Sequence, residues 1–253
     1  MNNEYVGELR LGASTTISQY VLPPVLAAFT ERYPKMSVSL MDTNSRNVEK
    51  ALQEHTIDVG MVEGVFRLPS LRYDPFLCDE LVSVVCSRGH WAGKEELTLE
   101  EFVRVPLVLR ERGSGTLDAI EMVLAEQGLK LSSLNVRMHL GSTEGIKSFL
   151  RCSNCMGIVS ICALERELKE GDFQVIDIEG LQFKRHFCFV SAQGQESDTV
   201  LNFMRCPALP FRKVKAGQNV SFYFFPNSGS IFSRAVTPKV ASVQTIIQMK
   251  NSW

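Results

Sequence analysis

The sequence predicts an α/β fold with a largely parallel sheet, divided between two lobes. Segments with strand-like alternation are followed by segments with apolar residues at helical spacing, which is typical of repeated strand–helix units. The order strand, small and hydroxyl residues, helix occurs three times, with turns at residues 12–16, 112–116 and 141–143. Two apolar stretches, residues 81–86 and 187–190, bracket the middle of the chain, as two strands joining two lobes would.

The first turn follows a strand predicted over residues 7–11, where leucines alternate with charged residues. Three hydroxyl residues, Ser14, Thr15 and Thr16, come next, before an apolar helical pattern that ends at Tyr33 because Pro34 cannot continue it. Unpaired N–H groups at a helix start can bind an anion, but Ser and Thr are also ordinary helix caps. Taken alone, this stretch favours the ordinary cap.

Strands and helices continue to alternate up to residue 64, where a hinge-like passage follows. The buried strand predicted over residues 57–62 ends at Glu63. Strands and helices that alternate at such short intervals indicate parallel pairing of the strands. The strand patterns cover residues 36–41, 57–62 and 81–86, and a helix pattern covers residues 45–54.

The second and third turns carry hydroxyl residues at the same place as the first. They are Arg112, Ser114 and Thr116 in one turn and Ser142 and Thr143 in the other. Small ligands bind at the carboxyl ends of strands in open α/β sheets, so three such turns predict a pocket for a polar or anionic ligand. The remaining strand patterns cover residues 105–109, 136–140, 156–161 and 173–178, and the helix patterns cover 117–124, 146–150, 163–169 and 197–205.

Composition and charge indicate a globular protein of the cytoplasm. The chain has no apolar run long enough for a membrane span, and its start lacks the features of a secretory signal. Its seven cysteines mostly lie in apolar runs, as buried free thiols do in a reducing compartment. No dense basic stripe of the kind that reads DNA is present.

Residues 207–253 differ sharply from the rest of the chain. They contain six basic residues and no acidic residue, which leaves 21 basic and 28 acidic residues in positions 1–206. Such a break in charge marks a separate segment. We expect a disordered tail or an artefact such as an out-of-frame terminus, rather than an extra strand-rich appendage.

The residues that could support catalysis are scattered. None of the four histidines pairs with an acid or a cysteine at a triad spacing, and the turn at residues 112–116 lacks the glycine pattern of a nucleophile elbow. Cys152 and Cys155 form a lone CxxC without the second pair that zinc requires. We therefore expect no catalytic residue, no metal site, no cofactor and no enzymatic activity.

Several motifs, in their order and spacing, resemble the effector-binding domain of LysR-type transcriptional regulators. The resemblance covers residues 6 to about 206. It is carried by Gly7-Glu-Leu-Arg-Leu-Gly-Ala-Ser-Thr-Thr16, Leu22-Pro-Pro24, Ile57-Asp-Val-Gly-Met-Val-Glu-Gly64, Leu109-Arg-Glu-Arg-Gly-Ser-Gly-Thr116, Gly141-Ser-Thr-Glu144 and Met156-Gly-Ile-Val-Ser160.

The resemblance implies two Rossmann-like lobes of the periplasmic-binding-protein type (type II), joined by two crossover strands. Lobe I would comprise residues 1–86 and 187–206, and lobe II residues 87–186. A small-molecule effector, an organic acid or an inorganic anion, would bind between the lobes. Ser14, Thr15, Thr16, Ser142 and Thr143 would hold it. From the opposing lobe, the weaker candidates would be Arg112, Ser114 and Thr116.

The same resemblance implies partners for the chain. The family forms homodimers or tetramers, here through the strand at residues 36–41 and the helix at 45–54, and it contacts DNA through a winged helix-turn-helix. Since residues 1–6 leave no room for that element, we expect DNA binding only through a missing N-terminal domain. Two alternatives are a stand-alone solute-binding protein, which would need export, and an enzyme on a two-lobed scaffold.

Overall fold

The structure is a computed structural model that describes residues 5–194, 197–206, 220–224 and 231–235. Its strands are β1 (Gly7–Ser14), β2 (Met36–Thr43), β3 (Val59–Glu63), β4 (Leu71–Cys86), β5 (Glu96–Leu97), β6 (Leu107–Arg110), β7 (Val136–Leu140), β8 (Met156–Ser160), β9 (Phe173–Val175), β10 (Asp177–Ile178), β11 (Phe183–Ala192), β12 (Val220–Phe224) and β13 (Ile231–Ala235). Its α-helices are α1 (Thr15–Tyr20), α2 (Leu22–Arg32), α3 (Ser45–Gln53), α4 (Leu99–Arg104), α5 (Gly115–Glu126), α6 (Thr143–Leu150), α7 (Glu165–Glu170) and α8 (Asp198–Met204).

The chain divides into two compact units. Of the described residues, unit 1 contains those in 5–77, 112–118 and 185–206, and unit 2 contains those in 78–111, 119–184 and the strands β12 and β13. The chain therefore passes from one unit to the other within β4 and again within β11. Residues 112–118, which the sequence analysis assigns to lobe II, belong to unit 1.

Unit 1 is built on three parallel strands in the order β2-β1-β3, with β11 antiparallel to β3. Alternate residues of β3 and β11 point to opposite faces, as the pleat of a strand requires. Met61 and Phe189 lie in one hydrophobic core with α1, α2 and α8. Val62 and Cys188 lie in a second core against α3.

The helix predicted after the first strand is two helices. α1 ends at Tyr20, and α2 begins at Leu22 with prolines in its first turn. Pro23 and Pro24 have no N–H to donate, so they are tolerated where a helix begins but would break one that ran through them. Thr15 and Thr16 therefore lie on a separate six-residue helix, α1, rather than on α2.

In unit 2, β6 lies between β8 and β7 and runs parallel to both, and β4 runs antiparallel to β8 and β9. A core of Val84, Val108, Ile146 and Leu150, with further apolar residues, joins these strands to α6. The capping box predicted at residues 98–101 is present at the start of α4.

Three expectations from the sequence need correction or completion. β4 begins at Leu71, ten residues before the apolar stretch that marks it in the sequence. All seven cysteines are free, but only Cys188 and Cys206 are buried. Of residues 207–253, the structure describes only β12 and β13, which pair antiparallel; the predicted disordered or artefactual tail otherwise lies outside the described residues.

In the part of the chain that the structure describes, no helix combines the length and apolarity needed to cross a bilayer.

Phe203 fixes α8 to the core of unit 1. It is fully buried and makes an edge-to-face contact with Phe29, with ring centroids 5.5 Å apart. Replacing Phe203 with Ala should lower the free energy of unfolding by about 3–5 kcal/mol, because it removes buried surface and leaves a cavity. Urea denaturation measures this, with Phe66→Ala as control, since Phe66 is 61% exposed and should change stability by less than about 0.5 kcal/mol. Equal effects of the two variants would contradict this packing.

Candidate functional site

The carboxyl ends of the three parallel strands of unit 1 lie side by side. Ser14, the last residue of β1, is in register with Thr43 on β2. Ala13 is in register with Met61 on β3, two residues before Glu63. Because parallel strands end at the same edge of a sheet, the polar residues at their ends meet there.

Glu63 is the centre of the polar groups at this edge. Its side chain is buried, and its carboxylate accepts hydrogen bonds from Ser14 Oγ at 3.0 Å and from Ser45 Oγ at 2.5 Å. The Ser45 hydroxyl is not needed as a helix cap, because Asn44 caps α3 by accepting a hydrogen bond from Asn47 N. These donors offset the cost of removing a carboxylate from water.

Arg185 on β11 balances the charge of Glu63. Its side chain is 0% exposed, and Nη1 lies 3.4 Å from Glu63 Oε1. The same nitrogen donates to Thr116 Oγ1 at 2.8 Å, and the guanidinium lies over the ring of Phe187. Removing one partner of such a pair would leave the other charge buried without compensation. We call these five residues, Ser14, Ser45, Glu63, Thr116 and Arg185, the Glu63 cluster.

Gly115 allows the segment at residues 112–118 to approach Glu63. A Cβ atom at position 115 would lie 2.5 Å from Glu63 Cβ and 2.6 Å from Glu63 Oε2, closer than real side chains come. The segment is also bound through its backbone, since Arg46 N donates to Gly113 O at 3.2 Å. Gly113 has a φ of +88°, a conformation that favours glycine.

The three hydroxyl residues after β1 have three different roles. Ser14 occupies the N-cap position of α1, but its side chain makes no capping hydrogen bond, so the expectation of an ordinary cap is wrong here. Thr15 Oγ1 donates to Thr43 O at 3.3 Å. Thr16 is 1% exposed, and its Oγ1 has no hydrogen-bond partner among the described residues. Since a buried hydroxyl is normally paired, Thr16 is the one of these three residues whose hydroxyl group could take an additional partner.

The serine and threonine of the second turn form hydrogen bonds with residues of unit 1. Ser114 Oγ accepts a hydrogen bond from Thr116 N at 3.2 Å, and Thr116 Oγ1 accepts one from Arg185. Both residues are buried, whereas Arg112 is exposed. The structure therefore places Ser114 and Thr116 in the same unit as Ser14, Thr15 and Thr16.

The third turn lies in unit 2, and its serine is a true cap. Ser142 Oγ accepts a hydrogen bond from Gly145 N at 3.0 Å at the start of α6, and Thr143 next to it is 2% exposed. Lys147 on the same helix is buried and pairs with Glu167 at 2.7 Å. Its positive charge is thus balanced within unit 2.

Two surface grooves of unit 1 are lined by other residues. The larger, of about 620 Å³, lies beside Met41 and Lys50, and the smaller, of about 290 Å³, lies beside Asp58 and Ser197. None of the site residues predicted from the sequence lines either groove. The choice of site therefore depends on the hydrogen-bonding chemistry at the strand ends rather than on groove size.

Sequence reasoning missed three members of the Glu63 cluster. Glu63 is the last residue of the parallel strand β3, and Ser45 lies two residues after β2, so the rule that identified Ser14 would also have identified them. Arg185 lies on an antiparallel strand, where that rule does not apply. The sequence could have indicated Arg185 by its spacing, because it lies two residues from Phe183 and two from Phe187. Residues two apart in a strand share a face, and both phenylalanines are buried.

Burial affects the protonation of two thiols in the described part of the chain. Burial raises the pKa of the Cys188 thiol to about 11, and burial also raises the pKa of Cys78. A thiol that stays protonated is a weak nucleophile. No group of three or more His, Cys, Asp or Glu side chains among the described residues is arranged to hold a metal ion.

Two α/β units with hydroxyl-bearing turns at the ends of parallel strands are typical of the class of two-unit α/β proteins that bind small molecules. The chain belongs to the LysR substrate-binding domain family, whose model matches residues 2–206. The regulatory domain of Synechocystis CcmR in complex with 2-PG is a similar solved structure, with a TM-score of 0.70, 28% identity, and coverage of 78% of this chain and 94% of that one. It confirms the expected α/β fold of the periplasmic-binding-protein type.

Curated relatives are named as transcriptional regulators. The chain is 27% identical to the HTH-type transcriptional regulator CysL of Bacillus subtilis, over 78% of this chain and 65% of the relative. It is 32% identical to the HTH-type transcriptional activator CmpR of Synechocystis, over 77% of this chain and 62% of the relative. The matched region thus spans less than two thirds of either relative.

Substituting Gly115 tests how closely its segment packs on Glu63. Gly115→Ala should lower the free energy of unfolding by about 1–3 kcal/mol, because the added methyl group displaces the Glu63 side chain. The matched control is Gly141→Ala, since a Cβ atom at position 141 meets nothing within 4 Å and that φ is not positive. Thermal and urea unfolding measure both variants. A Gly115→Ala variant as stable as the control would contradict the close approach.

Proposed function

We propose that this chain is the effector-sensing part of a longer DNA-binding transcriptional regulator. Membership of the LysR substrate-binding domain family is the observation that carries the proposal. The names of the relatives, a regulator and an activator with an HTH motif, support it. The effector is a small polar or anionic molecule, an organic acid or an inorganic anion, and its binding modulates transcription.

The hydroxyl-bearing turns hold the effector. In unit 1 these are Ser14, Thr15 and Thr16, and in unit 2 they are Ser142 and Thr143. The buried Thr16 hydroxyl supports this assignment, because it has no partner among the described residues and is available to a ligand. Arg112, Ser114 and Thr116 are secondary candidates. The similar CcmR domain is in complex with 2-PG, which supports a small-molecule effector for this chain.

The longer protein works as a homodimer or tetramer in the cytoplasm. DNA contact belongs to that longer protein rather than to residues 5–206. The dimer surface is β2 together with α3. The exposure of Leu40 and Met41 on β2, 38% and 42%, supports this surface, because β2 is the edge strand of unit 1 and presents apolar side chains to solvent.

Effector binding can be tested at Thr16. A thermal-shift screen of small organic acids and inorganic anions should find a stabilising ligand, whose affinity calorimetry then measures. Thr16→Val should weaken that affinity at least about tenfold, because a hydrogen bond to a charged ligand is worth about 1.5–3 kcal/mol. Thr30→Val on the exposed side of α2 is the matched control and should leave the affinity unchanged. A screen without any stabilising ligand, or unchanged binding by Thr16→Val, would contradict the proposed site.

The dimer surface can be tested at Met41. Met41→Glu should raise the dissociation constant of self-association at least about tenfold, because a carboxylate would have to be buried in the interface. Sedimentation equilibrium measures this constant. Phe66→Glu is the control, since Phe66 is 61% exposed and lies outside β2 and α3. If both variants associate like the unmodified chain, the surface is elsewhere.

A further inference from the structure

The hydrogen bonds of the Glu63 cluster determine which kind of ligand Ser14 can bind. A serine hydroxyl has one proton to donate and two lone pairs with which to accept. Ser14 Oγ lies 3.0 Å from Glu63 Oε1, and an ionised carboxylate can only accept. The single proton of Ser14 is therefore used in the bond to Glu63.

The surroundings of Glu63 keep that proton in place. The carboxylate pairs with the buried Arg185 and accepts a second hydroxyl proton from Ser45. An anion near Ser14 could accept the hydroxyl proton only if Ser14 stopped donating it to Glu63. The buried carboxylate would then lose one of its hydrogen-bond donors. The lone pairs of Ser14 remain available, because its side chain caps no helical N–H group.

Thr16 has the opposite capacity. Its Oγ1 is buried and has no hydrogen-bond partner among the described residues, so its proton can be donated to a ligand. Two residues apart at the start of α1, Ser14 thus offers an acceptor and Thr16 offers a donor. A ligand that donates to Ser14 and accepts the proton of Thr16 must carry a donor group and an acceptor group of its own.

We propose that the effector is a small acid that carries a hydroxyl or amine donor next to its carboxylate or other oxyanion. The donor is bound by Ser14, and the oxyanion is bound by Thr16. This inference rests on the proposed function, since it assumes that the turn after β1 holds the effector. Acids without a donor are rejected, because their oxygen would face the lone pairs of Ser14 without a proton between them.

Matched sets of acids test the donor requirement. Lactate, alanine and propionate share one carbon skeleton and differ only in a hydroxyl, an amine or a hydrogen; malate, aspartate and succinate form a second set. Sulfate serves as an anion without a donor. All are added to the screen described above, and the affinities are measured by calorimetry. In each set that binds, the hydroxyl or the amine member should bind at least about tenfold more tightly than the member without a donor.

Two variants separate the roles of the hydroxyl groups. Ser14→Ala should bring the ratio of affinities within a set close to one, because the acceptor for the donor group is gone. Thr16→Val should weaken all members of a set to a similar extent and leave the ratio unchanged. The ratio in the unmodified chain is measured without any substitution, so the test stands even if a variant folds poorly. Circular dichroism checks the fold of each variant.

The outcomes distinguish the inference from the proposed function. If no molecule in the screen stabilises the chain, the proposed function fails and the inference fails with it. If sulfate or an acid without a donor binds best, the inference is overturned while the proposed function stands. A preference for the donor-bearing acid that Ser14→Ala leaves intact would also overturn the role of Ser14. A preference that Ser14→Ala removes and Thr16→Val preserves supports both.

Discussion

The buried carboxylate of Glu63 is the charged group around which the Glu63 cluster of unit 1 is organised. A charge out of water must be paired, and here Arg185 pairs it while two serine hydroxyls complete its hydrogen bonds. These partners come from β1, α3 and β11, and Glu63 itself lies on β3, so one carboxylate joins elements that are distant in sequence. The segment at residues 112–118 is bound to the same group, because Gly115 approaches Glu63 closely and Thr116 accepts from Arg185. The local geometry of the candidate site therefore depends on a structural ion pair.

Much of the fold could be predicted from the sequence because it depends on local patterns. Alternation identified β1 and β2, and helical spacing identified α3. The break between α1 and α2 was missed, although Pro23 and Pro24 are its physical cause. The start of β4 was missed because its first ten residues mix polar and apolar side chains. The strand also pairs with β9, which lies far along the chain, and such pairing cannot be seen in a local pattern.

The candidate site was predictable only in part, for a similar reason. Strand ends are visible in the sequence, so Ser14 and Thr16 could be identified before the structure. The hydrogen bonds of the Glu63 cluster could not be predicted, because the partner of Ser14 lies 49 residues away and that of Thr116 lies 69 residues away. The placement of residues 112–118 in unit 1 depends on those same distant contacts. The sequence shows which polar residues lie at the strand ends. The tertiary structure determines whether each of their hydroxyl groups can still donate or accept a hydrogen bond.

This distinction changes how a run of hydroxyl residues at a helix start should be interpreted. The sequence treats Ser14 and Ser142 alike, as a serine before a helix at the end of a parallel strand. In the structure Ser142 accepts a hydrogen bond from the helix and keeps its proton, whereas Ser14 gives its proton to Glu63 and keeps its lone pairs. The two serines therefore suit opposite ligand groups, an acceptor at Ser142 and a donor at Ser14. The difference originates in Glu63, whose buried carboxylate accepts the hydroxyl proton of Ser14.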